Sequence, residues 1–403
     1  CSEMKKKLGI LVDILMYGTM LVQMLYVFTG NTVHEILGIV FFVSLICHII
    51  LKRHWFRGLL KFGEKPLLRK LFDINTLLLL LCMVLMMAVP AMAEGTVKVG
   101  MVTDVGGIND QSFNQFAWAG LQALAAEDPS FEVSYLESKT DADYQTNINT
   151  FIDEGYDLII CVGYMLADAT REAAEDNPDQ LFAIIDDSSI DLPNVACLMF
   201  AQEQASYLVG LVAGSVTESK TVGYVQGMVS DSMNLFGIGY ISGVLEVCPD
   251  ATVLQYNANN FGDIAGGSTA AKDMITKGAD VIYQAAGGTG IGVINACDEE
   301  GIWSIGVDAD QAAVMGLDSI LSSALKNTGA GAVDIAKAVQ AGEFVGGEHH
   351  YTTADGAIDF ATTGDHIPAE VLEKVNAAKA AIIAGELIVP TSVEEVPAFT
   401  LDD

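Results

Sequence analysis

Aspartate, phenylalanine and glycine residues follow apolar runs at three places in the sequence. Asp104 ends the run VKVGMVTD and is followed by Phe113, Gly287 follows DVIYQAA, and Asp308 follows IWSIGV. An aspartate accepts hydrogen bonds from hydroxyl or N–H groups, and an aromatic ring stacks on another planar ring. These residue types therefore suit a neutral ligand with a planar part, although the same aspartates could serve only as helix caps or turn residues.

The glycine-rich turn that starts at Gly287 (GGTG) also resembles the turns that hold phosphate groups. We disfavour that interpretation, because the chain has no GxxxxGK[ST] motif and little positive charge near this turn. The ends of the predicted strands show no histidine base, nucleophile elbow or metal-ligand cluster. We therefore expect a binding domain that is not an enzyme and that requires no cofactor.

Residues 95–403 alternate short apolar runs, typical of buried strands, with segments that have helical spacing of apolar residues. This alternation predicts doubly wound parallel sheets covered by helices on both faces. The pattern runs through about 96–200 and restarts over about 221–310, so we predict two similar α/β lobes, with 311–403 completing both. In such sheets ligands bind beyond the carboxyl ends of the strands, where Asp104 and Asp308 are expected.

Charge is divided unevenly along the chain. Residues 1–94 contain ten Lys and Arg and six Asp and Glu, whereas residues 95–403 contain ten and 46, so the second part carries most of the negative charge. An acidic surface repels nucleic-acid phosphates, which argues against a nucleic-acid partner. None of the seven cysteines has a CxxC or metal-type spacing, and buried free thiols are the preferred interpretation.

Three apolar runs in residues 1–94 predict an all-α region with two to three transmembrane helices. Basic residues precede the first run and lie between the second and third, which places the N-terminus in the cytoplasm and residues 95–403 outside the cell membrane. The third run ends in Ala91-Met92-Ala93, a signal-peptidase pattern. Cleavage after Ala93, which would release the outer domain, is therefore the alternative to an uncleaved anchor.

His34 and His48 lie 14 residues apart in the second apolar run, a spacing that puts both on one side of a helix about 21 Å apart. Two imidazoles at this spacing could each ligate one b-type haem, with the second ligands supplied by another subunit or by methionine. The surrounding stretch TGNTVHEILGIVFFVSLICHIILKRHW resembles small membrane cytochrome b-like domains. Interfacial or packed histidines are the alternative.

Several segments of the outer domain resemble the basic membrane protein family of bacterial nucleoside-binding lipoproteins. They are GGINDQSFNQFAWAGL, EQASYLVGLVAG, ADVIYQAAGGTGIGVINAC, IGVDADQ and LSSALK, which occur in order between about residues 97 and 390. The resemblance implies a type I periplasmic-binding-protein fold with a hinge between its two lobes. It further implies capture of purine nucleosides, for transport through the permease and ATPase of an ABC importer or for sensing.

Site residues follow from the same resemblance. Phe113 would stack on the base with Asp104 beside it, and Asp308 and Lys326 would hold the ribose hydroxyls. Gly287 is a candidate for a different reason: it opens the glycine-rich turn that follows a predicted strand.

A second stacking face is expected from Tyr283, with Phe236 as the alternative. Gln202 stands where relatives often have an acid, which marks a departure from the family pattern. The competing function is a membrane redox protein, with b-haem helices and an outer domain that binds riboflavin by aromatic stacking.

Overall fold

The computed structural model describes residues 96–401, which all belong to one compact unit, Met92–Asp403. The predicted transmembrane helices, the cleavage after Ala93 and the haem ligands His34 and His48 lie outside the described residues, and they stay predictions. Among the helices that are described, none combines the length and the apolar character needed to cross a bilayer.

The first lobe is built on a six-stranded sheet with the order β11-β5-β4-β3-β1-β2, in which all neighbouring strands are parallel. Its strands are β1 Val97–Val102, β2 Phe131–Leu136, β3 Leu158–Val162, β4 Leu181–Ile185, β5 Val195–Phe200 and β11 Gly347–Tyr351. Its helices are α1 Phe113–Glu127, α2 Tyr144–Asp153, α3 Ala167–Asp176 and α9 Thr328–Ala341, the last of which packs against α1. Every residue of β3 is buried, as a central parallel strand covered on both faces requires.

A second six-stranded sheet has the order β12-β10-β9-β8-β6-β7 and forms the second lobe. Its strands are β6 Thr221–Gln226, β7 Thr252–Asn257, β8 Val281–Ala285, β9 Trp303–Asp308, β10 Ile320–Lys326 and β12 Ile358–Phe360. The remaining helices are α4 Gln202–Val216, α5 Asp231–Val247, α6 Ile264–Thr276, α7 Gly287–Glu300, α8 Gln311–Met315 and α10 Ala369–Ile383. The predicted α/β architecture with two parallel-sheet lobes is confirmed.

One strand departs from the parallel pattern. The chain leaves β11 in the first lobe and enters the second lobe beside the carboxyl end of β10, where Ile358 pairs with Lys326. Because β12 starts at the end of β10, it can only run back along that strand, and the pair is antiparallel.

The chain crosses between the lobes three times, after β5, after β10 and between β11 and β12. The crossings are hydrogen-bonded to one another: the Ala201 N–H donates to the Tyr351 carbonyl at 2.9 Å, and the Asn327 N–H donates to the Ala357 carbonyl at 2.8 Å. Three adjacent crossing segments concentrate the backbone that must rotate when the lobes move apart, and they form the hinge.

Helices α4 and α5 pack backbone to backbone through glycines. A Cβ on Gly239 would lie 2.2 Å from the Glu203 carbonyl oxygen, and a Cβ on Gly243 would lie 2.2 Å from the Tyr207 carbonyl oxygen. Only residues without a side chain permit this approach. The packing joins the helix that leaves the hinge to the helix that reaches the space between the lobes.

Replacing Gly243 by alanine is expected to lower the free energy of unfolding by about 1–3 kcal/mol, because the added methyl group meets backbone that cannot turn away. The control is Ser242→Ala in the same helix, whose hydroxyl only bonds back to the Ile238 carbonyl. Urea denaturation of both variants measures the difference. Equal stability of the two variants would show that the helices adjust without cost.

The four described cysteines, Cys161, Cys197, Cys248 and Cys297, are buried free thiols, which confirms the preferred interpretation for this part of the chain. Cys161 and Cys197 lie on either side of Ile184, in the same row across β3, β4 and β5. Two strand spacings, about 10 Å, separate them, which is too far for a disulfide.

Candidate functional site

A cavity lies between the two lobes, at the carboxyl ends of their strands, and encloses about 500 Å³ of empty space including its mouth. Its wall combines aromatic rings, four aspartates and one lysine. Five of the seven residues predicted from the sequence line this cavity: Asp104, Phe113, Gly287, Asp308 and Lys326. The carboxyl ends of the parallel strands, and the helices that follow them, face each other across the hinge and bring these residues together.

Asp104 follows β1 and lies at the end of the cavity formed by the first lobe. Its Oδ1 accepts hydrogen bonds from the Gly106 N–H and from Asn114 Nδ2, both at 2.8 Å. Its Oδ2 accepts none from the described residues and lies near Gly163, where a Cβ would come within 3.1 Å. Burial raises the pKa of Asp104 to about 6 despite these hydrogen bonds. One carboxylate oxygen is therefore left for a ligand.

The Asp110 carboxylate caps helix α1, so the Ser112 hydroxyl does not serve as the cap. Its carboxylate accepts from the N–H groups of Ser112 at 3.0 Å, Asn114 at 2.8 Å and Gln115 at 3.1 Å. The alternative of helix capping by aspartate thus applies to Asp110, and it does not apply to Asp104 or Asp308.

Phe113, in the first turn of α1, and Phe236, in α5, contribute aromatic walls from opposite lobes. The Lys326 Nζ lies 5.1 Å from the centroid of each ring. The ammonium group therefore sits near both aromatic faces, in the region that a planar ligand would share.

Lys326 forms a buried ion pair with Asp186, which comes directly after β4. The lysine is 1% exposed and the aspartate 7%. Burial raises the pKa of Asp186, and the nearby Lys326 opposes that rise. The second carboxylate oxygen, Oδ1, is buried without a hydrogen-bond partner among the described residues. Asp186 was not predicted as a site residue, although it ends the apolar run LFAIID as Asp308 ends IWSIGVD.

Asp308 closes β9, the strand that occupies in the second sheet the position of β4 in the first. Asp186 and Asp308 share left-handed backbone conformations, with φ of 67° and 62°. Asp308 accepts a hydrogen bond from the Ser112 hydroxyl on Oδ2, while its buried Oδ1 has no partner among the described residues. Burial raises its pKa to about 7.

Gly287 opens α7 with φ of 54°, a conformation that favours glycine. A Cβ there would approach the backbone and side chain of Phe261, a third ring on the cavity wall. The turn therefore brings the backbone of the second lobe close to the ligand space without supplying positive charge.

Two predicted residues lie elsewhere. Tyr283 does not line the cavity: it is fully buried in β8, its hydroxyl contacts the Ser206 hydroxyl at 3.0 Å, and Phe236 takes the wall position that was named as the alternative. Gln202, also outside the lining, starts α4 and donates from Nε2 to the Ser232 carbonyl and hydroxyl at 2.9 Å. It fastens the hinge-side end of α4 to α5.

The electrostatic balance of the cavity is negative, with four carboxyl groups against one lysine among its lining residues. Carboxylate oxygens without partners can only accept hydrogen bonds when ionised, so a ligand must present hydroxyl or N–H donors. An anionic ligand would be repelled.

Comparison with known proteins agrees with this geometry. Residues 97–393 match the family model Bmp, described as ABC transporter substrate-binding protein PnrA-like. The chain is 38% identical to the CD4+ T-cell-stimulating antigen of Listeria monocytogenes over 312 residues, covering 72% of this chain and 87% of that protein. It is also 38% identical to the ABC transporter nucleoside-binding protein BmpA of Lactococcus lactis over 315 residues, covering 73% and 89%.

A crystal structure of ABC transporter solute-binding proteins from Aeropyrum pernix superposes with a TM-score of 0.66 at 25% identity, covering 74% of this chain and 95% of that one. These comparisons give no support to the alternative of a flavin-binding redox protein. Because the family model matches residues 97–393 and both relatives align over most of their own length, the chain belongs to the Bmp family of PnrA-like ABC transporter substrate-binding proteins.

Proposed function

We propose that this protein captures a purine nucleoside outside the membrane and presents it to an ABC importer. One observation carries the proposal: two aromatic walls from opposite lobes border the same cavity as Asp104, Asp186 and Asp308, each of which has one carboxylate oxygen without a hydrogen-bond partner among the described residues. Such a cavity offers stacking to a planar base and acceptors to donor groups around it. The nucleoside-binding name of the Lactococcus lactis relative supports the same ligand class.

The base is proposed to lie between Phe113 and Phe236, with Asp104 at its edge. Asp104 Oδ2 can accept from a base N–H, while Asn114 and Gly106 hold the other oxygen in place. Its raised pKa lets the same carboxyl group donate when protonated, so it can also meet a base acceptor.

The ribose is proposed to lie against Asp186, Asp308 and Lys326. Within the described part of the chain, Oδ1 of each of the two aspartates has no hydrogen-bond partner, and Lys326 pairs with Asp186. Two acceptors and one donor therefore converge on a patch suited to hydroxyl groups. A 5′-phosphate would add negative charge to a cavity that already holds four carboxyl groups, so we expect nucleosides to be preferred over nucleotides.

Delivery to an importer follows from the family, whose members are substrate-binding proteins of ABC transporters. We propose that the binding domain lies on the extracytoplasmic side of the cell membrane and meets a permease and its ATPase there. An acidic domain following basic segments of residues 1–94 supports this orientation.

Titration calorimetry of the full chain with guanosine, inosine, adenosine and the free bases tests the ligand. Asp308→Asn is expected to weaken nucleosides by about tenfold or more and to affect free bases little, because a hydrogen bond to a charged group contributes about 1.5–3 kcal/mol. Phe113→Ala is expected to weaken both, because it removes a stacking face.

The control is Asp168→Ala, whose side chain is 99% exposed on the first lobe. Equal losses for nucleoside and base in Asp308→Asn would remove Asp308 from the ribose site. A response to riboflavin without any response to nucleosides would overturn the proposal.

A further inference from the structure

Besides the Lys326–Asp186 ion pair, two hydrogen bonds join the lobes beside the cavity, and neither needs a ligand. The Ser112 hydroxyl of the first lobe donates to Asp308 of the second. The Gln311 side chain of the second lobe donates from Nε2 to the Gln111 carbonyl of the first, at 3.1 Å. Both first-lobe partners come from consecutive residues that directly precede Phe113, the first aromatic wall.

Ser112 occupies the N-cap position of α1 but its side chain makes no capping hydrogen bond. A serine at this position normally accepts from the helix N–H groups. Here the Asp110 carboxylate already accepts from the N–H groups of Ser112, Asn114 and Gln115. The serine hydroxyl, 1% exposed, is therefore left to reach across to Asp308.

Gln311 is held in one orientation by a chain of hydrogen bonds. The Ala286 N–H donates to Gln284 Oε1 at 3.0 Å, which directs Gln284 Nε2 to Gln311 Oε1 at 2.7 Å. The Val307 N–H donates to the same Gln311 oxygen at 3.0 Å. With its oxygen fixed by two donors, the fully buried Gln311 can only point its NH₂ group toward the first lobe.

We propose that Ser112 and Gln311 form a latch that stabilises the closed conformation and links closure to the ligand through Asp308. In each of the two hydrogen bonds, one partner lies on the first lobe and the other on the second, so rotation about the hinge breaks both bonds. Asp308 receives Ser112 on Oδ2 and keeps Oδ1 toward the cavity, so one carboxylate meets the other lobe and the ligand together. The ligand half of this idea rests on the proposed function; the latch itself does not.

The latch predicts slower ligand release in the wild type than in a protein without it. Breaking the Ser112 bond is expected to raise the dissociation rate of the nucleoside about tenfold, because the bond has a charged partner. The association rate is expected to stay the same or to rise, because only the open form admits the ligand and the variant populates that form more.

The test measures the interlobe distance by fluorescence energy transfer in the full chain, with bioorthogonal labels at the exposed positions Gln122 and Asn295. Ser112→Ala is expected to lower transfer in the unliganded protein by shifting it toward the open form. Gln311→Met, which removes the second bond, should act in the same direction. Ser189→Ala is the matched control, because its hydroxyl bonds only within the first lobe.

Unchanged transfer in both Ser112→Ala and Gln311→Met would overturn the latch, whatever the ligand. Lower transfer in both, in a protein that binds no nucleoside, would support the latch and refute the proposed ligand. Stopped-flow binding then separates the rates: slower association with an unchanged dissociation rate would contradict the latch, and faster dissociation without slower association supports it.

Discussion

Replacing Lys326 by methionine is expected to lower the free energy of unfolding by about 3–5 kcal/mol at pH 8, because it leaves Asp186 as a buried charge without its partner. Methionine keeps an unbranched side chain of similar length, so the loss reflects charge more than volume. The ammonium group is 1% exposed, and it also contacts the rings of Phe113 and Phe236. Ligand affinity should fall with it, since the same group lies in the cavity.

The loss of stability is expected to shrink as the pH falls. Lys326 lowers the pKa of Asp186, so without the lysine that carboxyl takes up a proton more readily, and a neutral carboxyl costs less to bury. Urea denaturation at pH 5 and pH 8 measures this, and Lys326→Met combined with Asp186→Asn should recover much of the stability. A deficit of the same size at both pH values would show that packing accounts for it.

Aspartates at the carboxyl ends of strands are the part of the cavity that the sequence pattern alone could predict. Asp104 and Asp308 end apolar runs, and parallel strands present their carboxyl ends at one edge, so their meeting could be predicted from the alternation alone. Asp186 obeys the same rule in LFAIID. Its place in the cavity follows from the matching positions of β4 and β9 in the two sheets, and its pairing with Lys326 depends on how the lobes meet.

Tyr283 was predicted to supply the second stacking face, but it does not line the cavity. It lies in the middle of β8, and a mid-strand side chain faces a covering layer of helices and not the end of the sheet. Its ring packs against Tyr224 and Tyr240, with centroids 5.6 and 5.0 Å away. Phe236 reaches the cavity from a helix, and that depends on how closely α5 packs on α4.

Contacts across the lobes could not be predicted from the sequence. The Ser112 hydroxyl donates to the carboxylate of Asp308, 196 residues away in the chain. Gln311 likewise forms a bond across the lobes, to a carbonyl 200 residues away in the chain. Such contacts follow from the angle between the lobes, which no local pattern of residues encodes.

The unliganded protein is expected to be several kcal/mol more stable to unfolding at pH 5 than at pH 8. Burial raises the pKa of Asp104 from 3.8 to about 6 and that of Asp308 from 3.8 to about 7. Both carboxyls thus bind a proton more tightly in the folded chain than in the unfolded one. Their contribution is fully present below about pH 3.8 and is lost as the pH rises through about 6 and about 7.

The rise in the pKa of Asp104 corresponds to about 3 kcal/mol and that of Asp308 to about 4 kcal/mol, taken as upper limits because the two groups share a cavity. Urea denaturation between pH 4.5 and pH 8.5 measures the slope, and Asp308→Asn should flatten it in the upper half of that range. Ribose hydroxyls that donate to ionised Asp308 favour its charged form, so nucleoside affinity should rise with pH over the same range. An unchanged slope in Asp308→Asn, together with pH-independent affinity, would show that Asp308 is already ionised at pH 5 in the folded protein.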